Sequence, residues 1–224
     1  MTQPAQEAWK QTLIQLLATE TFTEIKGALD TVTTQYEILG HQQVSDMNNP
    51  LITVPGRQLI EKYARSEASF IIQGSNDLKF NHVIENTLKQ WSIDKIFVRG
   101  AYGPKFIDQL PYLLETFRYD LSSRRAFINV WRDSPGPSKD TTCLCSLQYI
   151  VRDNKLHCLA TMRSSDAWLG LPNDTIVFAL LAEYVIKLIE EYLDVPLKLG
   201  NLYNIAGSRH IYSKDVEKVM EVLK

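Results

Sequence analysis

Cysteine is scarce in this chain: three in 224 residues, at Cys143, Cys145 and Cys158, with no CxxC pair. So sparse and odd a set excludes a disulfide framework and gives no structural zinc site. Positive charge is not in excess either, since 24 lysines and arginines stand against 26 aspartates and glutamates, a formal net charge of -2. A global positive field for holding nucleic acid is therefore missing, and any anion site has to be built locally. No apolar run is long enough to cross a bilayer, and MTQPAQEAW lacks the basic and apolar regions of a signal peptide. Repeats, low-complexity tracts and linkers are also lacking. What is there is ordinary for a globular protein: 45% hydrophobic and 22% charged residues, at a length that buries a core without staples. The expectation is a reduced, cytoplasmic protein with one domain over residues 1–224.

AQEAWKQTLIQLLA spaces Trp9, Leu13, Leu16 and Leu17 as an amphipathic helix does. From Gly40 to Arg57, asparagines and prolines suggest a loop with a short extended piece. GRQLIEKYARSEASFIIQG and NHVIENTLKQW read as helices, and FIDQLPYLLETFRYDL as another that Pro111 should start or kink. RRAFINVW is β-like and SPGPSKD after it is a loop. CSLQYIVRDNKLHCLATMR reads as two strands turning near Asp153 and Asn154. Asp174 to Leu193 is the longest helical stretch, apolar on most sides, and LGNLYNIAGSRHIY gives a last strand before a short tail helix. Helices first and a sheet later favour α+β over a doubly wound fold.

Chemistry concentrates between Cys143 and Asp174. Cys143 follows a polar loop and opens a strand, a place for an exposed nucleophile, although most free cysteines are small buried hydrophobes. For Cys145 and Cys158 the core reading is favoured. In MRSSDAWLGLPND, Arg163, Ser164 and Asp166 bring a cation, a hydroxyl and a carboxylate to a strand end. The Gly170–Pro172 turn then leads to Asp174; the blander reading is that Asn173 or Asp174 only caps a helix. Arg124 and Arg125, preceded by serines, suit phosphate oxygens or are solvated surface. Glu67 lies among Phe70 and Ile71, as a buried carboxylate of raised pKa or an idle exposed one. His210 and Tyr212, two apart on a strand, share a face.

Taken together, these segments resemble the thymidylate synthase and pyrimidine hydroxymethylase superfamily. EASFIIQGSN resembles the helix of the active-site glutamate, at Glu67, and GAYG the tyrosine turn, at Tyr102. SSRRAFINVW is similar to the strand whose arginines reach the partner subunit's substrate phosphate, here Arg124 and Arg125. TTCLCSLQYIV resembles the nucleophile strand, with Cys143 selected by its register to Gln148. RSSDAWLGLPND matches the RSxDxxLGxPxN signature, and RHIY the HxY pair that holds the sugar. The resemblance implies an α+β fold with a large mixed sheet flanked by helices, a sheet-to-sheet homodimer, and 5,10-methylenetetrahydrofolate as carbon donor without a metal. It further implies phosphate binding by Arg163, Ser164 and the second copy's Arg124 and Arg125. Asp166 and Gly170 are assigned to the folate, and Glu67 and Tyr102 to water and proton transfer.

Departures from the synthase pattern narrow the reading. Asp174 stands eleven residues after Arg163, where synthases have asparagine; Leu144 replaces a histidine after the nucleophile, and Met162 a glutamine. No arginine precedes Arg57, so the N-terminal phosphate arginine lacks a counterpart other than Lys26. The chain also ends twelve residues after Tyr212, without the long closing segment of bacterial synthases. These features resemble deoxycytidylate hydroxymethylase. An asparagine amide donates to uracil O4 and accepts from N3–H, whereas cytosine reverses that pattern, and a carboxyl sharing a proton with N3 suits it. The expected reaction is dCMP to 5-hydroxymethyl-dCMP. The alternatives are thymidylate synthesis from dUMP, cytidylate C5-methylation, and hydroxymethylation of CMP.

Overall fold

The computed structural model describes residues 3–19, 22–26, 32–55, 57, 61–131 and 139–224. Its centre is an antiparallel hairpin of β4 (Leu144–Arg152) and β5 (Lys155–Asp166). Asp153 and Asn154 join them at φ 51 and 56, left-handed values that these two short polar residues tolerate. Along β5, Leu156, Cys158, Ala160 and Met162 are buried in alternation with less buried neighbours, the period of a strand with one covered face. The cover is α5 (Gly170–Leu193), whose apolar residues interlock with that row. This helix carries the chain to β6 (Lys198–Tyr212), which lies parallel to β5. It ends at Asp194, whose left-handed φ of 55 stops the α conformation.

Antiparallel to β6 runs β2 (Val32–Asp46), which also pairs with β1 (Phe22–Lys26), and β3 (Phe127–Asn129) closes the other edge against β4. The sheet is thus mixed and six-stranded, in the order β1-β2-β6-β5-β4-β3. The loop expected from Gly40 is in fact strand as far as Asp46. Its inner positions hide polar side chains, Gln43 and Ser45, and Thr12 donates to Gln43 Oε1 at 2.8 Å. Gly40, at φ 66, also interrupts the alternation. An irregularity continues across the sheet at that level. Ladder pairs skip Gly40, Gly207 and Arg163, and the β4–β5 register shifts between Leu144 and Ser146. A Cβ on Gly207 would lie 3.0 Å from the Arg163 carbonyl oxygen, so β5 and β6 approach closely there.

On the helical side, α1 (Ala5–Leu17) buries Trp9, Leu13 and Leu16 against Trp168, Leu171 and Ile211. Helices α2 (Glu61–Ile72) and α4 (Gly103–Tyr119) share the main core with α5, and α3 (His82–Leu88) packs on α2. Pro111 does not start α4. That role falls to Pro104 in its first turn, where a missing N–H costs nothing, and Pro111 sits inside the helix. The expected tail helix is α6 (Val216–Leu223). Most of SPGPSKD, residues 134–138, lies outside the described residues, as does the side chain of Lys26.

Candidate active site

Cys143 immediately precedes β4 and is half-buried at the mouth of a pocket of about 220 Å³. Glu67, Tyr102 and Arg163 line the same pocket, together with an apolar wall that includes Phe70, Leu88, Trp91 and Val98. Arg163 is pinned by its Nε to the Thr142 carbonyl at 2.8 Å, which leaves Nη2 3.6 Å from Cys143 Sγ. Burial pushes the Cys143 thiol up, and the Arg163 charge only partly offsets this. Arg163 thus favours the thiolate by its own charge, while burial sets the net balance toward the thiol.

Two glycines of the RGAYG turn, whose Gly100 to Tyr102 line the pocket, sit against neighbouring backbone. A Cβ on Gly100 would fall 2.3 Å from the Asp140 carbonyl oxygen, and one on Gly103 2.9 Å from that of Ser75. Backbone N–H groups of Arg99 and Gly100 both donate to the buried Asp140 carboxylate at 3.1 Å. The turn bearing Tyr102 is thereby clamped to the segment bearing Cys143. Tyr102 makes a hydrogen bond with the Leu144 backbone, while burial and the nearby Cys143, Asp174 and Glu67 drive its phenol far up.

Glu67, on α2, accepts from Asn173 Nδ2 at 2.6 Å and from Tyr63. Burial nevertheless raises its pKa above the ordinary carboxylate range. Of the two sequence readings, the buried carboxylate is the one the fold contains. Asp174 is not a helix cap: α5 begins at Gly170 with Leu169 in the N-cap position, so Asp174 lies inside the helix. Its pKa is pushed up to about 8 by burial and by the charges of Glu67 and Asp166, against the opposing pull of Arg209. At neutral pH it is mostly protonated. Gly170 stands beside it, since a Cβ there would be 3.7 Å from Asp174 Oδ2.

Asp166 turns the chain from β5 into α5, accepting from the Trp168 and Leu169 N–H groups at 2.8 and 3.0 Å. It faces His210 across the β5–β6 register, and Ser164 faces Ser208. His210 is buried with Nδ1 unpartnered, and its ring meets Tyr212 edge-on at 4.9 Å. Burial lowers its pKa while Asp166 opposes the fall. Arg124 and Arg125 are both exposed, ahead of β3, and neither lines the Cys143 pocket of their own chain. Among the described residues, no group of three or more His, Cys, Asp or Glu could hold a metal ion. Among the described residues, no helix is long and apolar enough to cross a membrane.

Several site residues escaped the sequence reading. Asn173 anchors Glu67, and Asp140 clamps the turn. Arg57 lies over the adjacent rings of Trp9 and Trp168, 5.6 and 5.7 Å from their centroids, and donates to the Trp168 carbonyl. Its pKa falls to about 10 through burial, with Asp166 opposing. Arg209 is fully buried. The adjoining signature motifs were the only available signal, since burial of an arginine does not follow from a β-strand pattern.

With this geometry in hand, comparison with known proteins is informative. The model of the thymidylate synthase family matches residues 11–224. A thymidylate synthase of Francisella philomiragia is 24% identical over 208 residues, covering 83% of this chain and 74% of that protein. One from Francisella tularensis subsp. holarctica is 25% identical over 211 residues with the same coverage. A Listeria monocytogenes thymidylate synthase reaches 31% over 118 residues, 52% of this chain and 36% of its own.

Proposed function

This chain belongs to the thymidylate synthase family, and on that premise we propose that it is a one-carbon transferase that hydroxymethylates C5 of a cytidine monophosphate, dCMP first. The observation that carries the base assignment is Asp174, inside α5 and held protonated by burial and neighbouring carboxylates. A protonated carboxyl donates to the basic N3 of cytosine and accepts from its N4 amino group. Uracil offers the weakly basic O4 to the same proton.

In this reading the Cys143 thiolate forms a bond to C6. The C5=C6 electrons move to C4–C5, the C4=N3 electrons to N3, and N3 takes the Asp174 proton. C5 is then nucleophilic. Methylenetetrahydrofolate, as cosubstrate, supplies the carbon at the oxidation level of formaldehyde. The apolar wall of Phe70, Leu88, Trp91 and Val98 beside Cys143 fits a flat heteroaromatic ring, with Asp166 and Gly170 at the other side of the site. C5 loses its proton, tetrahydrofolate departs, and water held by Glu67 and Tyr102 adds to the C5 methylene before Cys143 is released. The sum is dCMP, methylenetetrahydrofolate and water to 5-hydroxymethyl-dCMP and tetrahydrofolate. Arg163 and Ser164 bind phosphate, and His210 and Tyr212 hold the sugar.

The test is incubation with dCMP, CMP or dUMP and methylenetetrahydrofolate, with mass spectrometry of the nucleotide and absorbance at the dihydrofolate band. The expected product is 5-hydroxymethyl-dCMP with no dihydrofolate. Methylated product with stoichiometric dihydrofolate overturns the hydroxymethylase reading in favour of a synthase or methylase, and a CMP preference selects the ribonucleotide.

The proposed assembly is a homodimer in which one catalytic domain per chain completes the other's site. Support comes from the sheet face opposite α5, where Leu159, Tyr203 and Ile205 are half-buried rather than covered. The exposed Arg124 and Arg125, outside their own pocket, add to it. Mixing inactive Cys143→Ala with inactive Arg125→Glu should restore activity through hybrid dimers carrying one intact site. A monomer by light scattering, or no recovery after subunit exchange, removes the shared-site arrangement.

A further inference from the structure

Arg209 is unusual among the charged residues of the site. It lies on β6 with no exposed surface, yet its guanidinium touches only neutral partners. Nη1 donates to Ser165 Oγ, and Nη2 donates to the Asn204 carbonyl at 3.2 Å and to Asn204 Oδ1 at 2.7 Å. Nε has no partner. Among the described residues no carboxylate comes within ion-pair distance of it. Strict alternation would place Asn204 and Arg209, five apart, on opposite faces. The burial phase of β6 changes between Ala206 and Arg209, where the ladders skip Gly207. Arg209 faces inward with its Nη1 on Ser165, next to Asp166, whose Cβ and Asp174 Oδ2 both come within 4 Å of a Cβ added to Gly170. A buried arginine without a counter-ion is costly to the fold and is retained for a reason.

Its surroundings supply one. Asp174 is surrounded by Glu67 and Tyr63 from α2, Tyr102 at the head of α4, Cys143 ahead of β4, and Asp166 from β5. All of these are acidic or neutral. Arg209, from β6, is the cation acting on Asp174, and Asp174 in turn is the charge that opposes the desolvation of Arg209. We propose that Arg209 is a positioning residue for the reaction, whose unpaired buried charge keeps the Asp174 proton releasable to N3 of the base. Without it, the neighbouring carboxylates Glu67 and Asp166 would make Asp174 hold its proton too tightly to share it with substrate. The role of the proton rests on the cytidylate reading above; the electrostatic coupling of the two residues does not.

The experiment separates these. The Asp174 carboxyl is titrated in the substrate-free protein by carbon-detected NMR with labelled aspartate, its signal assigned by disappearance in Asp174→Asn. The expected midpoint near pH 8 should rise by about one unit or more in Arg209→Gln and return toward the original in Arg209→Lys. Asn204→Asp guards against loss of folding in Arg209→Gln. It keeps the side-chain shape and gives Arg209 a carboxylate of its own, and the Asp174 midpoint should again rise. A midpoint unchanged in the folded variants overturns the proposal. A shifted midpoint together with unaltered preference among pyrimidine nucleotides keeps the coupling and overturns the cytidylate role of the proton.

Discussion

Replacing Cys143 with serine is expected to abolish exchange of the substrate's C5 hydrogen with solvent, a loss on the order of 10⁴-fold or more, as for removal of an enzyme nucleophile. Exchange requires reversible addition at C6, and only a thiolate is nucleophilic enough at the working pH. Cys143 lines the pocket with Glu67 and Tyr102, and Arg163 Nη2 lies 3.6 Å from its sulfur. Cys145 falls at the β4 register shift and does not line that pocket, and Cys158 is fully buried in the core. Cys145→Ser should therefore retain most of the exchange. Because burial holds the Cys143 thiol above its ordinary range, wild-type exchange without folate should quicken as the thiolate forms with rising pH. Tritium release from C5-labelled dCMP measures all three proteins. Release by Cys143→Ser at a wild-type rate would remove the covalent mechanism.

Asp174→Asn is expected to lower the dCMP-to-dUMP ratio of kcat/KM by roughly 10- to 150-fold, the equivalent of about 1.5–3 kcal/mol for one buried, charge-assisted pair. The amide donates to O4 and accepts from N3–H, matching uracil, and has no proton to share with the cytosine N3. A helix cap would have left the ratio unchanged, since asparagine caps as well as aspartate, but Asp174 lies past the N-cap, inside α5. Stability should move as well, with a definite sign. The folded-state pKa of Asp174, about 8, lies above the ordinary 3.8. Its contribution to stability is full below about pH 4 and is lost as pH rises through 8. Asn does not titrate, so the variant should gain on the wild type as pH rises from about 4 to about 8 in urea unfolding. An unmoved specificity ratio would leave the synthase reading in place.

How much of this was legible beforehand depended on whether a segment's pattern was produced by one cause or by several. The β4–β5 hairpin and α5 could be read because alternation, turn residues and apolar content agreed. β2 could not, since Gln43 and Ser45 occupy its inner face and Gly40 breaks its period; Gln43 there takes a hydrogen bond from Thr12 of α1, which lies outside any window along β2 itself. At the site, motifs located Cys143, Glu67, Tyr102 and Arg163, which the fold gathers around one pocket. Arg209 stands inside RHIY, between strand residues that the pattern could read, but its burial could not be read there. It follows a change of burial phase at Gly207, where the backbone comes close to Arg163 of the next strand, and no local periodicity encodes that.

The pairing of β2 with β6 has a consequence for how the chain comes off the ribosome. Gln43 lies against Asn204 and Glu37 against His210, so the N-terminal strands wait for a partner made more than 150 residues later. At bacterial or eukaryotic elongation rates of about 5–20 residues per second, that interval is roughly ten to thirty seconds. The β4–β5 hairpin, whose strands are separated by two residues, can form long before. During the delay, β2 lacks its β6 partner and the apolar side of α1 lacks most of its cover, since Ala167, Trp168, Leu171 and Ile211 arrive late. Nascent chains of this protein therefore expose a sticky N-terminal segment throughout most of their synthesis. Chaperone dependence should fall if the order of synthesis is permuted so that β6 emerges before β2.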